Sequence, residues 1–319
     1  MKIAILDDYQ DAVRRLPCFP LLDGLDVKVF HHGAKGIGQL AIRLATFDVL
    51  VLIRERTRLD RALLSRLPNL KMICQTGRLG AHVDVAAARE RGIELIEGPG
   101  DPVATAELTW ALVLAASRKL LPYASLLKQG LWQQSAVVPE RSVLGRAVCG
   151  RHLGIWGYGR IGQRVARYAQ AFGMQVSVWG SEASRDKAVA DGFSAADSRE
   201  AFFSSVDVLS LHLRLSDSTR HRVTADDLAR MKSDALLVNT SRAELIAPGA
   251  LEAALRDGHP GAAAIDVFET EPLPPTAPLL QLDNLLATPH LGYVEQDSYD
   301  MYFRPLFEII AQRAAEART

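Results

Sequence analysis

The chain has 319 residues, enough for two domains that each bury a core. Hydrophobic residues make up 48% and charged residues 23%, ordinary proportions for a soluble globular protein. Thirty-seven basic residues offset thirty-seven acidic ones, so no net field favours nucleic acid or an anionic membrane, and a charged ligand must be bound by local groups.

Short apolar runs alternate with amphipathic segments from the first residues onward. Strands are predicted at Ile3–Leu6, Val27–Phe30, Val49–Ile53, Lys71–Gln75 and Glu94–Ile96, and helices at Gln39–Ala45, Asp60–Leu67 and Asp84–Arg91. This alternation implies a parallel sheet covered on both faces. Gly98–Pro102 interrupts it as a linker, with Asp101 as N-cap and Pro102 at the first position of a long helix reaching about Leu121. After a Gly-containing loop a second series begins, with strands at Leu153–Trp156, Gln175–Trp179, Val208–Leu211, Leu236–Asn239, Ala263–Asp266 and Leu285–Ala287. Five or six strands with intervening helices make one doubly wound domain. The tail, Gln296 to Ala317, reads as a single helix. The fold class is therefore α/β, with two doubly wound domains in series.

Met1–Leu6 enters a strand directly, without the charged and apolar regions of a secretory signal. The apolar run Leu108–Ala116 stops at Arg118, too short to span a bilayer. Cys18, Cys74 and Cys149 are odd in number and widely spaced, and read as buried thiols in a reducing compartment. A cytoplasmic protein that contacts neither membrane nor nucleic acid is expected. His31 and His32 have no cysteine or carboxylate at ligand spacing, so no metal site is expected there. Trp110, Trp132, Trp156 and Trp179 read as packing residues.

The densest signal is the strand Leu153–Trp156, the turn Gly157–Gly162 and the helical pattern Gln163–Phe172. This is the context that the dinucleotide fingerprint GxGxxG requires. Gly157 permits the tight turn, and Gly159 lets backbone approach a pyrophosphate. Gly162 lets the helix lie close on the strand. The helix N-terminus, opened by Arg160 and Ile161, offers free N–H groups to phosphate. The acidic residue expected about 20 positions on, for the adenosine ribose, is missing: the second strand ends in Gly180, Ser181 and Glu182.

Ligands bind at the carboxyl ends of such strands. Arg242, Asp266 and His290 each lie just at or past a strand end, and Glu271 lies in the turn after Asp266. Arg242 can hold a substrate carboxylate bidentately and polarise a neighbouring carbonyl. His290 can give or take the proton of a hydroxyl or carbonyl oxygen. Glu271 can orient the His290 ring and favour its protonated form. Beside a nicotinamide, these groups suit hydride transfer at a 2-hydroxy or 2-oxo acid.

The segments 157–162, 210–220, 236–246, 263–274 and 287–293 resemble the D-isomer-specific 2-hydroxyacid dehydrogenase family, over nearly the whole chain. The resemblance implies that Arg242, Glu271 and His290 are catalytic. It implies that Asp266 meets the nicotinamide carboxamide, that Thr240 lies beside that site, and that His212 and Ser181 belong to the cofactor site. It implies a flavodoxin-like substrate domain of residues 1–100 plus 293–319 that covers the substrate. Residues 101–292 would form the Rossmann NAD(P)-binding domain. Arg54 falls where some members use an arginine on the substrate's acid group. Gly77 and Arg78 fall in the loop whose backbone N–H groups hold the carboxylate. Arg54 or Arg78 would add a second positive charge for a dicarboxylate or phosphorylated substrate, or serve only the surface. The long helix after the first crossing would help join a homodimer, and its apolar stripe Leu108–Leu121 fits core equally.

Departures from the family pattern bear on cofactor and substrate. Gly180 stands where NAD-preferring members have aspartate, Leu108 where many have histidine, Arg214 where proline is usual, and Ala243 where glycine follows the catalytic arginine. If position 243 needs positive φ, alanine strains it by roughly 1 kcal/mol. NAD is expected, with NADP possible: Ser181 and Arg185 suit a 2′-phosphate, and Glu182 suits ribose hydroxyls. The alternative function is a dinucleotide-sensing corepressor-like protein of the same fold, without catalysis.

Overall fold

The structure is a computed structural model, and it describes residues 1–34, 36–133 and 144–317. Two compact units emerge, Met1–Asp101 with Val294–Thr319, and Pro102–Tyr293. Each crossing falls one residue later along the chain than expected.

In the first unit, β1 (Lys2–Leu6), β2 (Asp26–Val29), β3 (Val49–Leu52), β4 (Met72–Gln75) and β5 (Glu94–Glu97) form a parallel sheet in the order β2-β1-β3-β4-β5. All four residues of β3 and of β4 are buried, which is why these strands read as unbroken apolar runs. Helices α1 (Gly36–Leu44), α2 (Arg61–Leu64) and α3 (Val85–Glu90) connect them. Asp60 and Asp84 cap α2 and α3 from outside, accepting the N–H of Leu63 at 2.9 Å and of Ala87 at 2.8 Å. Both helices therefore start one residue later than their apolar periodicity suggested.

The second unit opens with α4 (Val103–Ser117) and α5 (Leu120–Lys128). These replace the single helix expected through Leu121. Pro122 has no N–H for the Arg118 carbonyl and its ring crowds that oxygen, so α4 ends first. Lys119, at φ +53°, turns the chain into α5. The N-cap position of α4 is Pro102 rather than Asp101. Then follow β6 (His152–Trp156), α6 (Arg160–Ala171), β7 (Gln175–Trp179), α7 (Glu182–Ala190), β8 (Ser194–Ala195), α8 (Arg199–Ser205), β9 (Val208–Leu211), α9 (Ala225–Ala229), β10 (Leu236–Asn239), α10 (Ala250–Asp257), β11 (Ala262–Ile265) and β12 (Leu285–Ala287).

These strands make one parallel sheet of seven, ordered β12-β11-β10-β9-β6-β7-β8. The extra strand, β8, pairs only Ser194 and Ala195 with Ser177 and Val178, too few residues to leave an apolar signature. Strand order reverses between β6 and β9, the switch point at which open α/β sheets leave a crevice. One face of the sheet packs Leu153, Ile155, Val165, Ala169 and Val178 with Ala106, Trp110 and Val113 of α4. The other packs Trp156, Phe202, Phe203, Leu209 and Leu237. The apolar stripe of α4 is thus largely core. Trp110 and Trp156 pack as expected, whereas Trp132 is 71% exposed.

The chain returns to the first unit as α11 (Gln296–Glu316), started by Glu295, whose carboxylate accepts the N–H groups of Asp297 and Ser298. It continues through Pro305 and buries Tyr302, Phe303, Leu306, Phe307 and Ile310. Phe307 meets Phe19 edge-on, and Arg313 pairs with Glu94 at 2.9 Å. Cys18 and Cys74 are buried, and burial pushes both thiols up to about 12, whereas Cys149 is exposed.

Candidate active site

The glycine turn follows β6 directly. Gly157 has φ +99°, and a Cβ there would sit 2.9 Å from the carbonyl carbon and oxygen of His212, so glycine lets the ends of β6 and β9 pass close together. A Cβ on Gly162 would collide with the Gly157 carbonyl oxygen, so this residue sets the approach of α6 to the turn. A Cβ on Gly159 would meet nothing within 4 Å. Its space is open, and no side chain caps α6. Arg160 begins that helix, and Ile161 packs against the core behind it. The uncapped N–H groups and the open cradle fit a pyrophosphate.

At the end of β7, Gly180 has φ +157°, which L side chains rarely adopt. A Cβ there would lie 3.4 Å from Ser184 Cβ and 3.9 Å from the Gly157 nitrogen, so position 180 faces the glycine turn. Ser181 caps α7 by accepting the Ser184 N–H at 3.3 Å, and the two hydroxyls lie 3.1 Å apart. The Arg185 guanidinium lies 5.1 Å from the centre of the Trp179 ring. After β9, His212 Nε2 pairs with Ser210 Oγ at 2.9 Å, and burial lowers the ring's pKa to about 4.

The strand ends of β10, β11 and β12 hold the candidate catalytic groups. Asn239 is buried at the end of β10 and folds the next turn, accepting the Ser241 N–H at 3.0 Å and donating to the Arg242 carbonyl at 2.9 Å. Arg242 Nη1 donates to the Ser241 carbonyl at 2.7 Å. Ala243 lies in a short 3-10 turn and does not have positive φ, so the strain considered for alanine is absent. Ser241 Oγ donates to the Leu213 carbonyl at 2.6 Å, tying this turn to the end of β9.

His290 and Glu271 meet, with Nδ1 2.6 Å from Oε2. The other Glu271 oxygen accepts the Phe268 N–H at 2.9 Å. Burial pushes the Glu271 carboxyl up. The hydrogen bond and charge of His290, the Phe268 N–H and the charge of Arg242 outweigh this and hold it below the usual carboxylate range. His290 has φ +53°, unusual for a residue with a side chain, and its ring contacts Tyr293 edge-on at 5.4 Å.

Asp266 is fully buried and anchors this turn. Its Oδ1 accepts from Thr288 Oγ1 at 2.6 Å and from the Leu291 N–H at 2.7 Å, and its Oδ2 accepts from the Gly292 N–H at 2.8 Å. Burial raises its pKa despite these bonds. Two positions on α4 escaped the sequence reading. Thr105 Oγ1 donates to the Gly292 carbonyl at 2.8 Å, and Thr109 Oγ1 lies 2.6 Å from Thr240 Oγ1. Two hydroxyls four residues apart in a strongly apolar helix were the available signal.

In the first unit, Arg54 also has positive φ, and its guanidinium lies over the Tyr302 ring at 5.5 Å. A Cβ on Gly77 would collide with Arg54 Nη1, so the two residues depend on each other. The Gly77 backbone is at φ +87°, and Arg78 is exposed. His31 gathers with Asp8 and Asp11, carboxylates that sequence spacing did not associate with it. The Asp8 carboxylate accepts the Ala12 and Val13 N–H groups at 3.1 and 3.0 Å, and His31 pairs with Asp11 and the Asp8 carbonyl. Those bonds account for the cluster as a turn, and no metal is assigned to it.

Residues 110–292 match the family model for the D-isomer specific 2-hydroxyacid dehydrogenase NAD binding domain. A glyoxylate reductase from Aeropyrum pernix is 39% identical over 243 residues, covering 76% of this chain and 72% of that enzyme. A D-3-phosphoglycerate dehydrogenase from Methanocaldococcus jannaschii is 36% identical over 255 residues, which span 80% of this chain but only 47% of that enzyme. The crystal structure of a phosphoglycerate oxidoreductase from Vibrio cholerae superposes with a TM-score of 0.94 at 52% identity, covering 99% of both chains. Glycine turn, parallel seven-stranded sheet and these likenesses agree, and the chain belongs to the D-isomer specific 2-hydroxyacid dehydrogenase family.

Proposed function

We propose that the protein is an NAD(P)-dependent oxidoreductase interconverting a 2-oxo acid and the D-2-hydroxy acid. The observation that carries this reading is the 2.6 Å His290–Glu271 pair at a strand end of a unit whose glycine turn fits a pyrophosphate. The reduced nicotinamide, when bound, supplies a hydride to the substrate's C2. His290, with Nδ1 held by Glu271, presents Nε2 to the C2 oxygen and gives it a proton in reduction or takes one in oxidation. Glu271, kept as carboxylate by its neighbours, steadies the charge that His290 carries as acid. Arg242 binds the substrate carboxylate and draws electron density from the adjacent carbonyl. Gly157, Gly159, Arg160, Ile161 and Gly162 hold the pyrophosphate, and Ser181, His212, Thr240 and Asp266 complete the cofactor site.

For the first unit we propose substrate binding, with Arg54, the Gly77 N–H and Arg78 as the groups that take an acid. The cofactor is NAD, with NADP also admitted, since Gly180 brings no carboxylate and Ser181 and Arg185 sit at the same strand end. A homodimer fits the apolar surface of α5 and its surroundings: Leu120, Leu121, Leu127, Trp132 and Leu144 are all exposed, Leu144 by 83%. No described helix is long and apolar enough to cross a membrane, and the free cysteines suit a cytoplasmic protein.

His290→Ala and Arg242→Ala test the assignment. Each is expected to lower turnover of glyoxylate or hydroxypyruvate by about 10²–10⁴-fold while leaving the Kd for NADH within about twofold. Near wild-type rates in both variants would refute it, and an absence of turnover with any 2-oxo acid despite tight dinucleotide binding would favour the corepressor-like alternative.

A further inference from the structure

The backbone from Thr288 to Gly292 is held at several points. The His290 N–H donates to the Thr288 carbonyl at 3.0 Å, Asp266 accepts the Leu291 and Gly292 N–H groups, and Thr105 Oγ1 donates to the Gly292 carbonyl. The His290 side chain has less to hold it. Its Nδ1 lies 2.6 Å from Glu271 Oε2, and that bond fixes one atom of a planar ring. A carboxylate oxygen accepts over a broad range of directions, so the bond alone leaves the imidazole free to rock. Nε2, across the ring from Cβ, moves most when it does. Tyr293 meets this ring edge-on, with 5.4 Å between centroids and 73° between planes. Aromatic pairs attract in this geometry at about 4.5–7 Å, because the edge of one ring is positive and the face of the other negative. Tyr293 is only 5% exposed, so it cannot swing into solvent as the imidazole moves.

We propose that Tyr293 is a positioning residue whose ring sets the plane of the His290 imidazole, so that Nε2 is aimed before the C2 oxygen arrives. Glu271 fixes where the ring is tethered, and Tyr293 fixes how it is tilted. The residue after Gly292 must then be aromatic, because an aliphatic side chain of similar size fills the space without the ring quadrupole that sets the mutual angle. A proton donor held in line counts when the proton moves, whereas substrate and dinucleotide are bound by other groups. The loss on removing the ring therefore falls on kcat and not on KM. This inference rests on the reading that His290 is the acid–base group of a dehydrogenase.

The test compares wild type with Tyr293→Leu and Tyr293→Phe in two ways. With glyoxylate or hydroxypyruvate and NADH, leucine should lower kcat about 10–100-fold and leave KM and the Kd for NADH within about twofold. Phenylalanine keeps the ring and should stay within about threefold of wild type. The second measurement needs no turnover. Carbon-13 relaxation of the His290 Cε1–H group, identified by its loss in His290→Ala, should give an order parameter near the rigid value of about 0.85 in wild type and Tyr293→Phe, and below about 0.6 in Tyr293→Leu. Thermal unfolding checks that the leucine variant is folded, and Tyr293→Met, similar in volume and without a ring, takes its place if it is not. A folded ringless variant that turns over within about threefold of wild type, or whose His290 ring is as rigid, would overturn the proposal, as would a loss confined to KM. A wild type that reduces no 2-oxo acid, although its His290 ring loses order on removal of the Tyr293 ring, would instead overturn the reading on which the proposal rests.

Discussion

Replacing Asp266 by alanine removes a buried carboxylate that accepts three hydrogen bonds, two of them from the backbone N–H groups of Leu291 and Gly292. Each orphaned buried N–H costs about 1–3 kcal/mol, or about 2–6 kcal/mol for the pair. The carboxylate's own burial, visible in its raised pKa, is relieved by the same change and reduces the loss. A net destabilisation of about 2–4 kcal/mol is expected, together with release of the turn that keeps His290 at φ +53°. Guanidinium unfolding measures the first effect, and hydrogen exchange at the Leu291 and Gly292 amides measures the second. Asparagine should fall between, since its oxygen replaces one acceptor while its NH₂ faces a second donor. A loss below about 0.5 kcal/mol with both amides still protected would show that Asp266 does not anchor the turn.

Other perturbations separate fold from ligand. Gly162→Ala forces a Cβ onto the Gly157 carbonyl and should cost about 1–3 kcal/mol of stability. Gly159→Ala meets open space and should cost less than about 1 kcal/mol while weakening NADH binding more than tenfold in a fluorescence titration; equal stability losses in the two variants would contradict this division. The His212 pKa of about 4 lies below the ordinary 6.5, so the unfolded chain takes up this proton first as pH falls. The contribution is complete above about pH 6.5 and is lost toward pH 4, by up to about 3 kcal/mol, and His212→Gln should flatten the stability profile across that window. An unchanged slope would mean that other groups set it. Arg185→Ala should raise the Michaelis constant for NADPH about tenfold and leave that for NADH within twofold, and parallel changes would remove Arg185 from cofactor selection.

The strand ends were legible because parallel strands buried on both faces, such as β3, β4 and β10, leave unbroken apolar runs. Polar and charged residues just past those runs stand out as candidate site groups. What stayed hidden depends on contacts between distant positions. Nothing around Thr105 and Thr109 in sequence says that their hydroxyls reach Gly292 and Thr240. The same holds for Asp266, whose bonds to the His290 turn exist only once β11 and β12 are paired. The break at Lys119 was encoded locally, in Pro122, but an apolar helical pattern running across it concealed the stop. Gly180 reads in sequence as a missing carboxylate, and only the structure shows its φ of +157°, which L side chains rarely adopt.

The return of α11 to the first unit has a consequence for how the chain is made. Residues 102–293 are contiguous and can complete their core as soon as they leave the ribosome, because domains fold as units during synthesis. The five-stranded sheet precedes them, yet Tyr302, Phe303 and Phe307, among its unit's largest fully buried side chains, follow them. The earlier unit must therefore wait without these buried side chains while the whole of the later unit is translated. The first unit to be synthesised is the last to be finished, and any interval in which the nascent chain is open to aggregation or chaperone binding belongs to it.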